Sequence, residues 1–208
     1  MKSSERKERH RQDLTDKILA AARELLISQG VAGLSMRALA SKVGYSATAI
    51  YSYFADKNAV LRALLDADCE ALRRAMDHAA AESDPIERLR RLGRAYVDFG
   101  FQNPDHYRVL MMTEAQPGVM DDNPRRGDPA QDAYALLRQS AADGIQAGRF
   151  RPEFTEPDQL AQLIWSGVHG IVSLHLNLGR EPWFNWQPPE ATALRLIDAI
   201  LRGLTAPD

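Results

Sequence analysis

The segment from Ser35 to Phe54, SMRALASKVGYSATAIYSYF, constrains the fold more than any other. Each half of it places apolar residues at the three- and four-residue spacing of a helix, and Gly44 separates the halves. Glycine readily takes the positive φ that such a tight turn often needs. Ser35 and Ser46 stand where N-caps are expected. The pattern predicts two short helices joined by a tight turn, which is the form of a helix-turn-helix unit.

Helical spacing continues along most of the chain, and glycine and proline mark the breaks. The first helix is predicted from Asp13 or Thr15 to Gln29, where Gly30 ends it, and the helix after the turn unit from residue 57 to 81. Five more are expected at 85–102, 104–112, 131–146, 158–178 and 191–204. No stretch has a convincing strand pattern. We therefore expect an all-α fold of about nine helices.

Charge divides the chain into two regions of opposite sign. Residues 1–62 hold 11 of the 26 lysines and arginines but only 6 of the 28 acidic residues, a net charge of +5, whereas the remainder carries −7. A basic module joined to an acidic body is what phosphate binding at one end requires, although chance clustering is an alternative. We predict a flexible basic arm at 1–12, a three-helix helix-turn-helix domain at 13–62 and a larger, separate helical body at 63–208.

Composition limits the class of protein further. Hydrophobic residues make up 45% of the chain, enough for a substantial core. The only cysteine, Cys69, cannot form an internal disulfide, which fits a reducing cytoplasm. The first residues lack the apolar region of a signal peptide. The most apolar stretch, 160–178, contains polar residues and is typical of a buried helix, so we expect a cytoplasmic protein without a membrane span.

The outward face of the second motif helix carries side chains suited to DNA. Ala47, Thr48 and Tyr51 stand at positions i, i+1 and i+4, so they share one face. Thr48 offers a hydroxyl and a methyl group, which suit base edges and the thymine methyl. Ser46 lies at the helix N-terminus, where backbone N–H groups favour phosphate. The alternative is a structural helical hairpin whose tyrosines only pack.

Further candidate phosphate contacts surround this face. Tyr53, like Tyr51, can donate its hydroxyl to a phosphate, and Lys57 adds a cation at the start of the following helix. Arg37 and Lys42, on the first motif helix, are candidates for contacts with the backbone on the other side of the groove.

Residues 14–62 resemble the DNA-binding domain of the TetR (tetracycline repressor) family. The resemblance rests on KILAAARELLISQG at 17–30, LSMRALASKVGYSATAIYSYFADKNAVL at 34–61 and their separation. Leu26 departs mildly, since the family often has phenylalanine there. The resemblance implies base reading by Ala47, Thr48 and their neighbours, and phosphate contacts by a second set: Ser35, Arg37, Tyr51, Tyr53 and Lys57.

The C-terminal half of the chain has the composition of a small-molecule pocket. Aromatic residues and methionines gather in adjacent helices, and such side chains suit an adaptable pocket, although each one alone also suits the core. Trp165 and His169, at i and i+4, lie on one face, and WSGVHG resembles the Trp…His-Gly regulatory domain of one family branch. His169 is expected to reach either a ligand or a buried backbone carbonyl. The candidate pocket residues are Tyr96, Phe99, Tyr107, Met111, Trp165 and His169.

The resemblance implies that residues 63–208 form a helical ligand-binding and dimerisation domain. The last two predicted helices offer long apolar faces, so we expect the homodimer to form through them as a four-helix bundle. Two modules spaced by roughly 34–36 Å would match a palindromic operator. The sequence thus predicts a ligand-responsive transcriptional regulator, a repressor that an unknown small-molecule effector releases from DNA.

Two other classes of function compete with this prediction. An enzyme could be imagined around loop acids and a histidine, but no nucleophile elbow, P-loop, dinucleotide fingerprint or metal-ligand spacing is present. We therefore expect no catalytic residue, metal or cofactor. The other class is a helical binding module that has lost sequence-specific DNA contact. The acids and the histidine considered for the enzyme are Asp121, Asp122, Asp128 and His106.

Overall fold

The computed structural model describes residues 2–114, 116–120 and 123–206, with side chains from residue 5 onward. Within these ranges the chain is helical, and the one β pairing is an isolated antiparallel bridge between Phe150 and Thr205. The predicted all-α class is confirmed, with one helix more than expected. The ten helices are α1 (Lys2–Gly33), α2 (Met36–Val43), α3 (Ala47–Tyr51), α4 (Lys57–Ala75), α5 (Asp77–Ala80), α6 (Pro85–Gln102), α7 (Pro104–Met112), α8 (Ala133–Gln146), α9 (Pro157–Leu178) and α10 (Pro189–Leu204).

The chain forms two compact units, each described below by itself. The N-terminal unit comprises residues 1–68 and 105–123, and the C-terminal unit comprises 69–104 and 124–208. Arg62 illustrates how the segment after α6 joins the N-terminal unit, because its guanidinium donates to the carbonyls of Gly118 (3.3 Å) and Val119 (3.0 Å). This partition differs from the division predicted at residue 62, which stays a prediction for the functional domains.

The first helix is longer than predicted. It begins at Lys2 rather than at Asp13 or Thr15, because the arm consists of glutamate, lysine, arginine and other residues that sustain a helix and lacks glycine or proline. The predicted break at Gly30 is present as non-helical backbone (φ 67°, ψ −172°) inside α1. The predicted flexibility of residues 1–12 stays a prediction.

Two other helix bounds also differ from the expected ones. The helix predicted over 57–81 is divided into α4 and α5 at Met76, a turn residue with φ −93° and ψ −4°. The second motif helix, α3, ends at Tyr51 with Ser52 as its C-cap, before the end of the motif at Phe54. Apolar residues of α1, α2, α3 and α4 form the core of the N-terminal unit, among them the fully buried Ile18, Leu39, Ile50 and Leu64.

A buried carboxylate links three helices of the N-terminal unit. The side chain of Asp68 on α4 is fully buried, and Arg23 on α1 donates to both of its oxygens at 2.5 and 2.7 Å. His106 on α7 places its Nδ1 2.8 Å from Oδ1 of Asp68. Because each acceptor oxygen is paired, the charge is tolerated in the interior. The three side chains fix α1, α4 and α7 against one another.

In the C-terminal unit, α6, α8, α9 and α10 pack against one another. Fully buried side chains from three of these helices fill the centre: Leu89, Leu160, Ile164, Ile197 and Leu201. Arg88 on α6 reaches α8, where it donates to the hydroxyl of the buried Ser140 at 2.9 Å and pairs with Asp143. None of the helices in the described ranges has the length and apolarity needed to cross a bilayer.

Candidate nucleic-acid interface

The turn between α2 and α3 has the geometry that its residues dictate. Ser35 caps α2 by accepting the backbone N–H of Ala38 at 3.1 Å, and Ser46 caps α3 by accepting that of Ala49 at the same distance. Gly44 ends α2 in the left-handed region (φ 74°, ψ 31°). A residue with a Cβ is strained there, so glycine is what lets α3 follow α2 after so short a turn.

The side chains predicted to touch DNA are mostly on the outside of this unit. Ser35, Arg37, Ser46, Thr48 and Lys57 are exposed. Tyr51 is also exposed, with 53% of its surface accessible. Each serine oxygen already accepts a backbone bond, which leaves its hydroxyl hydrogen as a donor. The arrangement therefore presents several hydrogen-bond donors and two cations beside a recognition helix, the chemistry that a phosphate backbone requires.

The cations near the motif differ in whether they are already paired. Lys42 forms an ion pair with Glu24 at 2.6 Å. Within the described ranges, neither Arg37 nor Lys57 forms an ion pair or a side-chain hydrogen bond. Asp56 caps α4 by accepting the N–H of Ala59 at 2.7 Å and so holds Lys57 at the start of that helix. Arg37 and Lys57 thus remain for an external anion, whereas Lys42 is engaged within the protein.

Two of the predicted contacts are less accessible than the others, and one exposed tyrosine was missed. Ala47 and Tyr53 are half-buried and pack against the apolar core. Tyr45, which is not among the predicted contacts, is 40% exposed directly before the capping Ser46 of α3. Its position next to the capping Ser46 was the available signal. Tyr45 joins the candidates for phosphate contact because its side chain is exposed in the turn that leads into α3.

Three of the predicted pocket residues meet in the C-terminal unit. The indole Nε1 of Trp165 donates to the hydroxyl of Tyr96 at 3.1 Å, and that hydroxyl lies 3.2 Å from Nδ1 of His169. Since an indole N–H only donates, the tyrosine oxygen accepts from it, which fits donation of the phenol hydrogen to His169. Burial lowers the pKa of His169 and so favours the neutral imidazole that can accept this bond. One nitrogen of the His169 ring is thus held by a side-chain hydroxyl, a partner that the two sequence-based alternatives, a ligand and a buried backbone carbonyl, did not include.

The remaining predicted pocket residues do not belong to this cluster. Phe99 is buried on α6 and lines a separate groove of about 440 Å³ together with His78 and Arg94. Tyr107 is fully buried in the N-terminal unit, and Met111 is half-buried in the same unit. A role for these three side chains in a pocket stays a prediction.

The residues considered for an enzyme do not form a catalytic constellation within the described ranges. Asp121 and Asp122 lie outside those ranges. His106 is bonded to the buried Asp68, and the carboxylate of Asp128 accepts the N–H of Ala130, which lowers its pKa. Among the described residues, no group of three or more histidine, cysteine or acidic side chains is placed to hold a metal ion.

Comparisons with known proteins agree with this geometry. A family model described as "Bacterial regulatory proteins, tetR family" matches residues 18–64, and one described as "Tetracyclin repressor-like, C-terminal domain" matches residues 89–204. An HTH-type transcriptional regulator of Mycobacterium bovis is 27% identical over 193 residues, covering 80% of this chain and 82% of its own length.

Solved structures share the fold as well. A protein of unknown function from Rhodococcus sp. RHA1 superimposes with a TM-score of 0.70 at 26% identity, covering 93% of this chain and 96% of its own. A TetR family transcription regulator from Marinobacter aquaeolei VT8 superimposes with a TM-score of 0.72 at 18% identity, covering 96% and 100%.

Proposed function

The chain belongs to the TetR family of bacterial transcriptional regulators, and on that premise we propose that it is a repressor released from a palindromic operator by a small molecule. It would act in the cytoplasm, where bacterial DNA lies. The observation that carries the DNA-binding part is the exposed face of the helix-turn-helix, on which Arg37 and Lys57 have no partner among the described residues.

Contacts on this face divide into two kinds. Arg37, Tyr51 and Lys57, with the hydroxyls of Ser35 and Ser46 and the phenol of Tyr53, would bind phosphates and fix the register of the protein on the duplex. Thr48 and the smaller Ala47 would lie against base edges in the major groove. Phosphate contacts set affinity and salt dependence, whereas base contacts set the preferred sequence.

A dimer through α9 and α10 would place two recognition helices on one duplex. Leu163 and Leu174 on α9 are exposed, with 44% and 49% of their surfaces accessible, and lie along the same long helix. Apolar side chains exposed in this way favour burial against a second copy. Such a dimer with two-fold symmetry reads a palindrome whose half-sites are about 34–36 Å apart.

The effector is proposed to bind near Trp165 and His169. Both side chains are partly accessible, whereas Tyr96 beneath them is buried, so the cluster offers a supported polar surface for a small molecule. Release from DNA requires the effector to prefer the conformer that binds DNA poorly, because a ligand with equal affinity for both conformers shifts nothing.

The first experiment is a gel-shift titration on the DNA upstream of the chain's own gene, with a scrambled duplex of equal length as competitor. We expect the upstream duplex to bind at least 10³-fold more tightly than the scrambled duplex, in the range typical of specific recognition. A well-folded dimer that shows no preference at moderate salt would overturn the proposal and favour a helical module without sequence-specific contact.

Single substitutions then separate the two kinds of contact. Lys57→Ala should weaken binding to every duplex and reduce the slope of log K against log salt by about one. Thr48→Ala should instead change the ranking of operator variants at an unchanged slope. Arg180→Ala, which removes an exposed cation from the C-terminal unit, is the matched control for charge. If neither substitution on the motif has an effect, DNA is read elsewhere.

A further inference from the structure

The first turns of α1 extend beyond the core of the N-terminal unit. Every residue from Glu5 to Asp13 is helical and exposed, and Leu14 is the first buried side chain of the helix. Nine helical residues at 1.5 Å per residue project by about 13 Å. These turns bury no apolar surface, so packing within the chain does not explain why they are helical.

Charge on this extension is distributed unevenly around the helix. Glu5, Glu8 and Gln12 stand at i, i+3 and i+7 and share one face. The basic residues of the extension occupy the rest of its circumference, together with Asp13. Within the described ranges none of them forms an ion pair, although Arg9 and Arg11 each have an acidic residue three or four positions away on the same helix. The basic residues are Arg6, Lys7, Arg9 and Arg11.

The direction of two of these cations is set by the packed part of the helix. Lys7 and Arg11 precede Leu14 and Ile18 by seven residues each, so all four fall on one stripe. Leu14 and Ile18 are 3% and 0% exposed, and this stripe is therefore the one that α1 turns toward its own domain. Because the helix is continuous from Lys2 to the break at Gly30, Lys7 and Arg11 overhang the edge of the domain on that side.

The chemistry of the extension calls for an anionic partner. An extension that is polar all round gains little from packing, and its cations repel one another where no carboxylate pairs with them. Both costs are offset when the helix lies against a row of phosphates. We infer that the N-terminal extension of α1 is a second DNA contact, which binds the phosphate backbone beside the half-site read by α3. This inference rests on the proposed function.

The test compares two double variants of equal charge. Lys7→Ala/Arg11→Ala removes the overhanging cations, and Arg126→Ala/Arg180→Ala removes two exposed cations of the C-terminal unit. Dissociation constants are measured by fluorescence anisotropy in a KCl series, on the upstream duplex and on its scrambled counterpart.

We expect the extension variant to lose about 1.8 from the slope of log K against log salt, since each phosphate contact contributes about 0.9. Between 50 and 200 mM KCl the unmodified protein should then lose roughly tenfold more affinity than the variant. The loss should be the same on both duplexes because backbone contacts carry no sequence information. The control should keep the slope of the unmodified protein.

Two further measurements separate the loss of charge from a loss of folding. Lys7→Arg/Arg11→Lys preserves the charges and should preserve the slope, and the thermal midpoint of every variant should be unchanged because the altered residues are exposed. Hydroxyl-radical footprints of the extension variant should lose about 4 base pairs at each outer edge, the length of the extension at 3.4 Å per base pair.

Each outcome is decisive for one proposal. An unchanged slope together with an unchanged footprint would overturn the inference and leave an acidic protein surface as the partner to seek. A loss confined to the upstream duplex would also overturn it, since that would be base reading. A slope that falls on both duplexes while neither is preferred would support the extension and contradict the sequence-specific repressor.

Discussion

The two compact units use their cations in opposite ways. In the C-terminal unit, arginines are tied to carboxylates of the same chain: Arg73, Arg74, Arg88, Arg90, Arg91, Arg94, Arg125, Arg138 and Arg149. In the N-terminal unit the lysines and arginines with a described ion pair are Arg23, Lys42 and Arg108. Cations that the fold leaves unpaired are therefore concentrated where the helix-turn-helix and the α1 extension lie.

The unpaired cations of the N-terminal unit are not needed for stability. Exposed ion pairs contribute about 0–1 kcal/mol to stability, so leaving Arg37 and Lys57 without partners costs the fold little. What it provides is a local positive field on a chain whose net charge is −2. The C-terminal unit pairs most of its arginines with its own carboxylates, whereas the N-terminal unit leaves most of its cations without an ion pair among the described residues.

The largest effect is expected at Arg23, a paired and half-buried cation in the N-terminal unit. Arg23→Met should lower the free energy of unfolding by about 3–5 kcal/mol, because it leaves the fully buried Asp68 without its bidentate partner. Arg74→Met, which breaks the exposed pair with Glu70, should cost less than about 1 kcal/mol. Urea unfolding of both variants measures the difference, and equal losses would mean that Asp68 is not held as a buried charge.

One arginine from each unit tests whether paired cations serve stability and unpaired cations serve DNA binding. Arg88→Ala should lower the free energy of unfolding by about 2–3 kcal/mol, since it removes the donor to Ser140 and the partner of Asp143. It should leave the salt dependence of DNA binding unchanged. Arg37→Ala should do the reverse, with stability within about 0.5 kcal/mol of the parent and a salt slope lower by about one. Effects of both substitutions on the same property would contradict the division of roles.

Sequence reasoning was most successful where the structure depends on local chemistry. Both serine caps and the left-handed Gly44 follow from neighbouring residues, so the helix-turn-helix could be predicted residue by residue. The same holds for the shared face of Trp165 and His169, which four-residue spacing imposes. The exposure of Thr48 and Tyr51 on the outer face of α3 followed from these local predictions.

Features that depend on distant contacts could not be predicted in this way. Tyr96, which joins Trp165 to His169, lies on α6, 69 residues before Trp165, and no local sequence pattern predicts that these side chains form hydrogen bonds. Asp68 gave no sign of being buried because its partner Arg23 is 45 residues away. The attachment of residues 105–123 to the N-terminal unit is non-local for the same reason. The extension of α1 was missed for another reason, since without apolar residues it has no helical periodicity to detect.

A smaller effect is expected from the turn that connects the motif helices. Gly44→Ala should lower the free energy of unfolding by about 1–2 kcal/mol, because φ of 74° strains any residue with a Cβ even though space is open around it. It should also weaken operator binding through misplacement of α3. Gly203→Ala is the control, since this helical glycine also has open space, and alanine should stabilise it by about 0.5–1 kcal/mol. Thermal unfolding of both variants should give shifts of opposite sign, and shifts of the same sign would refute the role of the turn.

The smallest expected effect concerns pH and the C-terminal cluster. Burial lowers the pKa of His169, so the folded state binds this proton less well than the unfolded state, whose imidazole titrates near its ordinary value of 6.5. The stability that neutral His169 contributes is complete above that value and is lost as the pH falls through the lowered folded pKa. His169→Gln should therefore make the free energy of unfolding fall less steeply between pH 6.5 and 5 than in the parent protein, which shares the other four histidines. Equal slopes would mean that the ring is as hydrated in the folded state as in the unfolded one. A shallower pH dependence of the free energy of unfolding in the variant would indicate that His169 is neutral in the proposed effector cluster. Salt should then weaken DNA binding by the N-terminal unit far more than effector binding by this cluster, because salt screens interactions between charges.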